Sequence, residues 1–90
     1  MRREPDFFGE QELVLVFMAR RLKHALAVEK MFSDCGLDYA LETAPYQSGL
    51  LFRSSRMGVL FYIPPETEGQ ARALLLERGY KAYDADRDSF

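Results

Sequence analysis

Two short apolar runs constrain this chain more than any other feature. Leu13 to Met18 (Leu-Val-Leu-Val-Phe-Met) and Met57 to Ile63, with Val59, Leu60, Phe61, Tyr62 and Ile63, are rich in β-branched and aromatic residues. Each has the length of a strand, too short for a buried helix or a membrane span. Neither alternates cleanly. In the first run Val14, Val16 and Met18 share one phase, and Leu13, Leu15 and Phe17 the other; in the second, Val59, Phe61 and Ile63 oppose Gly58, Leu60 and Tyr62. Helices on one side of a sheet cover one phase only. The other phase then forms an apolar patch of a size that soluble monomers rarely expose. A homodimer through the open sheet face is the first expectation, since symmetric dimers are the commonest closed assembly. The alternative is cover within one chain, by the N-terminal arm with Phe7 and Phe8 or by residues 50–52.

The remaining segments supply helices and turns around these runs. Arg20 to Cys35 reads as a helix with Leu22, Ala25, Leu26, Val28, Phe32 and Cys35 on its inner side, closed by Gly36. Asp38 to Ala44 alternates as a strand with one wet face and ends at Pro45. Thr67-Glu68-Gly69-Gln70 has the form of a capping box and opens a helix to Arg78, with Ala71, Leu74 and Leu75 inward and Gly79 as its stop. Tyr80 to Tyr83 reads as a short last strand. Pro5 and Gly9 discourage regular structure before residue 11. The order β-α-β-β-α-β predicts an α+β, ferredoxin-like βαββαβ sandwich: a four-stranded antiparallel sheet with two helices on one face. Residues 1–11 are then an arm, 12–84 a single domain and 85–90 a flexible acidic tail.

Several classes of function are disfavoured. Ninety residues allow one modest core and no separate catalytic domain. The single cysteine, Cys35, excludes an internal disulfide framework, and no Cys/His set has zinc spacing, so no metal or other cofactor is expected. The first residues are charged but lack an apolar stretch of the signal-peptide kind. A cytoplasmic, bacterial-type domain without membrane association is the expectation. Net charge −2 and acidic residues at both ends argue against nucleic acid. The third strand also carries no basic-aromatic run of the RNA-binding kind.

Charged residues in unusual places define the candidate site. Glu29 falls amid the apolar stripe of the first helix, where a carboxylate is partly buried or paired with a cation. Arg20, Arg21, Lys23 and His24 cluster at the start of that helix, where backbone N–H groups also favour anions. Arg53 and Arg56, on the long loop 45–56, are candidate second contributors to a small-anion site. His24 by itself points to neither a metal nor a triad. Cys35 reads as a small buried hydrophobe near a helix end, and Ser54 and Ser55 as turn formers.

The segment Ala25-Leu26-Ala27-Val28-Glu29-Lys30-Met31-Phe32-Ser33-Asp34-Cys35-Gly36-Leu37 resembles Ala-Leu-x-x-Glu-x-x-Leu-x-x-x-Gly-Ile of small bacterial selenium/sulfur carrier-like domains. A similar pattern occurs in prokaryotic signal-transducing domains that resemble PII regulators. In the carrier family a Cys-Gly pair precedes the third strand, and here Met57-Gly58 stands there. A thioether has no thiolate, so persulfide or selenide chemistry does not carry over. The resemblance and the apolar sheet together imply a non-enzymatic regulatory or binding module of PII-like or ACT-like type, acting through oligomerisation or small-ligand binding. The alternatives are a diverged sulfur- or selenium-handling protein using Cys35, and a small dimeric ferredoxin-like enzyme.

Overall fold

Strand β3 (Ser55–Ile63) is the axis of the fold, because among the described residues it alone pairs on both sides. The computed structural model describes residues 1–47 and 55–83. Within them β1 (Val14–Ala19), α1 (Leu22–Asp34), β2 (Ala40–Gln47), β3 and α2 (Glu68–Glu77) follow in chain order. Short 3-10 turns occupy Pro5–Phe8 and Pro65–Thr67. The strands form one antiparallel sheet in the order β1-β3-β2.

The expected four-stranded ferredoxin-like sheet is therefore corrected to a three-stranded sheet with two helices. Residues 80–83 run beside β1, and among the described residues one main-chain bond joins them to it, Tyr83 N–H to the Val16 carbonyl at 2.7 Å. Two features work against a ladder there. The Tyr83 carbonyl accepts from Arg72 Nη1 at 2.6 Å. On the other side, β1 carries a bulge: Leu15 pairs with Tyr62 and Phe17 with Phe61, which leaves Val16 as the extra residue. A bulge breaks the regular spacing of donors and acceptors that a further strand needs.

The bulge also changes which residues face the core. Val14, Phe17 and Ala19 stand opposite Ile63, Phe61 and Val59, and Val16 is buried with them. Strict alternation had placed Phe17 with Leu15; the extra residue moves it to the covered face and moves Met18 to the other. The uncovered face of β1 and β3 thus holds Leu15, Met18, Leu60 and Tyr62, each only half-buried. It is a narrower apolar patch than the sequence implies.

On the covered face, Phe61 has no exposed surface and stands 5.8 Å from Phe17, 6.0 Å from Phe32 and 5.8 Å from Tyr39, centroid to centroid. From α1, Ala25, Val28, Met31 and Phe32 pack inward, and from α2, Ala71 and Leu75. The stripe on α1 is rotated from the expected one. Leu22 and Leu26 are 71% and 56% exposed, Cys35 is also exposed, and Met31 takes an inward place instead. Gly36, at φ +74°, and Gly79, at φ +84°, adopt the left-handed backbone where the two helices stop.

Three local expectations are also corrected. Pro45 does not end β2 but lies within it opposite Met57. Among the described residues β2 is an edge strand, a place where a sheet tolerates proline. Thr67 forms no capping box: its hydroxyl donates to the Pro64 carbonyl at 3.3 Å, within the 3-10 turn. Residues 5–8 are regular after all, as a single 3-10 turn.

The arm does not cover the open sheet face. Arg3 N–H donates to the Tyr39 carbonyl at 2.7 Å and Tyr39 N–H to the Met1 carbonyl at 3.2 Å, so the chain start lies beside the lead-in to β2. Phe7 and Phe8 border a hollow of about 340 Å³ with Gly36, Leu37 and Pro64, at the end of the sheet where β1 begins and β3 finishes. Among the described residues, no helix is long and apolar enough to cross a membrane.

Candidate functional site

The larger cleft lies at the opposite end of β1, between the β1–α1 turn and the segment after α2. It has a volume of about 780 Å³. The turn is short, so Arg20 and Arg21 follow Ala19 directly and sit at the mouth, with His24 one turn into α1. Arg21 occupies the N-cap position with extended backbone and makes no side-chain cap, and the first turn carries no acidic residue. Across the opening, Gly79 turns the chain out of α2 and Lys81 completes the basic rim.

Aromatic groups form the rest of the wall. The Tyr80 ring meets Phe17 edge-on at 5.5 Å and His24 at 5.9 Å, which fixes it between β1 and α1. Residues 80–83 all line the cleft; Tyr80 and Ala82 also pack on the core, whereas Lys81 and Tyr83 do not. Arg72 holds this segment from α2, its Nη1 bound to the Tyr83 carbonyl and its Nε donating to Glu68 Oε2 at 2.9 Å. Met18 borders the cleft where it runs out onto the uncovered sheet face. There, burial raises the pKa of Tyr62, with the charges of Glu42 and then Tyr83 adding to it.

Among the described residues, no carboxylate lines the cleft. Its chemistry is thus three cationic side chains, one imidazole and two tyrosines around a half-open volume. Such a site can hold an anion. Among the described residues, no group of three or more His, Cys, Asp or Glu side chains gathers to hold a metal.

The structure brings together only part of the candidate set. Arg20 and Arg21 share the cleft. Arg56 stands in β3 opposite Tyr46, and Arg53 lies outside the described residues, as does most of the loop 45–56. Glu29 lies elsewhere on α1, where it accepts a hydrogen bond from the Tyr39 hydroxyl at 3.0 Å and pairs with Arg2 at 3.8 Å. That is the paired, half-buried carboxylate its position called for, and it joins the arm to the core. Cys35 is exposed at the C-cap of α1, in place of the buried thiol expected.

Lys81, Tyr80 and Tyr83 escaped the sequence reading as site residues. Their signal is their place directly after the helix stop at Gly79, where the chain turns back past the start of α1. Comparison with known protein families, curated proteins and solved structures finds no match for this chain.

Proposed function

We propose that this chain is a non-enzymatic binding module that holds a small anionic ligand in the cleft between the β1–α1 turn and residues 79–83. One observation carries the reading: Arg20, Arg21 and Lys81 converge from two separate segments on one cleft. Cations gathered in a concave site raise the local concentration of anions and orient them. Uncapped N–H groups at the start of α1 favour the same sign of charge. The reading does not depend on a fourth strand.

The test is a chemical-shift titration of the full chain with pyrophosphate at low ionic strength, where exposed charges are least screened. Saturable shifts confined to residues 19–24 and 79–83 are expected. Replacing Arg20, Arg21 and Lys81 together by Gln should weaken binding at least tenfold. Absence of saturable shifts, or an unchanged affinity in the triple variant, overturns the reading.

A homodimer through the uncovered sheet face is a second reading, favoured by the adjacent half-buried Leu15, Met18, Leu60 and Tyr62. Sedimentation equilibrium decides it. A concentration-dependent mass that returns to the monomer value in Leu60→Lys supports the dimer, and a 10.4 kDa species at all concentrations removes it.

A further inference from the structure

We propose that the anion bound in this cleft is joined to a planar aromatic ring, with the charged group at Arg20, Arg21 and Lys81 and the ring against Tyr83 and Met18. The proposal rests on the anion-binding reading above and names the ligand class. Size is the first argument. The half-open cleft, about 780 Å³, has room for an organic molecule beside an inorganic anion. A ligand that carries something besides its charge therefore fits.

The lining says what. Away from the cationic rim the wall is Met18, Tyr80 and Tyr83 over the buried Phe17. The Tyr80 ring is held edge-on by two neighbours, and the backbone that carries Tyr83 is pinned at both its N–H and its carbonyl. A wall set in advance loses little freedom on binding. Tyrosine presents a π-face that stacks on any planar ring, and a methionine thioether packs well against ring edges. A sugar or other polyol would want several side-chain acceptors as well as donors, and the described lining offers donors at its cationic rim but few acceptors beyond the tyrosine hydroxyls and His24. A flexible alkyl chain would lose rotamer freedom in a cleft too open to enclose it. Charge sets the direction. Glu42 lies near Tyr62 on the uncovered face, so negative charge is disfavoured there and favoured at the arginine end.

The experiment titrates the full chain with three probes: inorganic phosphate, cyclohexyl phosphate and 1-naphthyl phosphate, read by amide chemical shifts. Naphthyl phosphate should bind about tenfold tighter than phosphate and several-fold tighter than cyclohexyl phosphate, the difference that stacking supplies. Tyr83→Leu should remove most of that advantage and leave phosphate unchanged; Tyr83→Phe should retain it. Because both Tyr83 hydrogen bonds are main-chain, neither substitution deletes a bond that holds the segment. Phosphate binding with no preference for the naphthyl ester, or a Tyr83→Leu variant that weakens both equally, overturns the ring assignment alone. Failure of all three probes and of pyrophosphate to bind overturns the anion reading beneath it as well.

Discussion

The Tyr39 hydroxyl, on a residue only 1% exposed, donates to Glu29 Oε1 at 3.0 Å and so ties the lead-in of β2 to the middle of α1. Arg2 reaches the same carboxylate at 3.8 Å from the chain start, but its side chain is 64% exposed. The two contacts differ in worth. A buried hydroxyl on an ionised acceptor contributes about 1–2 kcal/mol, whereas an exposed ion pair contributes about 0–1. Tyr39→Phe should therefore lower unfolding stability by about 1–2 kcal/mol, and Arg2→Ala by less than about 0.5. Urea denaturation of both variants checks this, and the reverse order would show that the arm and not the phenol is the latch.

Stability should fall at alkaline pH. Burial raises the pKa of Tyr39; its Ser33 hydrogen bond opposes this and the Glu29 contacts reinforce it. Tyr62 is raised as well, first by burial and then by Glu42 and Tyr83. Both therefore hold their protons more tightly folded than in the unfolded chain, where tyrosine titrates near 10.0. Their contribution is complete below pH 10 and is lost as pH rises through the higher folded values. Urea midpoints should be level up to about pH 9 and decline above 10, and the decline should be shallower in Tyr39→Phe.

Phe61 is the centre of the core, touching rings from β1, α1 and the lead-in of β2. Phe61→Ala should cost about 3–5 kcal/mol, against a total of about 5–13 for a chain of this length. Phe61→Leu should cost about 1. Thermal melts that show the alanine variant folded as firmly as the leucine variant would place the core elsewhere.

Arg72 touches no ligand in the proposed arrangement, yet it holds the Tyr83 carbonyl. Arg72→Met should reduce pyrophosphate affinity a few-fold while costing about 1 kcal/mol of stability. The same titration, with the Tyr83 amide as reporter, checks it. Affinity unchanged while that amide shifts would mean that the segment after α2 is not part of the site.

Cys35 is exposed, so the native protein should react with Ellman's reagent at close to one thiol per chain, at the rate of a short peptide thiol. A rate well below that would place the thiol under cover. A rate well above it would revive sulfur chemistry at this residue.

Much of the fold was legible along the chain. The two apolar runs became β1 and β3, Gly36 and Gly79 ended the helices, and Ala71 and Leu75 face inward as their spacing requires. These features depend on side chains within one turn or one strand of each other. The cationic start of α1 was equally visible, because Arg20, Arg21 and His24 are neighbours in sequence. Its counterpart, Lys81, was not, since only the return of the chain after α2 brings residue 81 across from residue 20.

By itself, then, the sequence determined the order of the first five elements, strand-helix-strand-strand-helix, because hydrophobic periodicity and backbone chemistry are local. Tertiary structure decided three further things. A one-residue bulge at Val16 chose which face of β1 is buried. Residues 80–83, held by Arg72 at the Tyr83 carbonyl, form a cleft wall in place of a fourth strand. Packing rotated α1 so that Leu22, Leu26 and Cys35 met solvent while Met31 did not. Each outcome turns on contacts between residues far apart in the chain, and no local pattern encodes them.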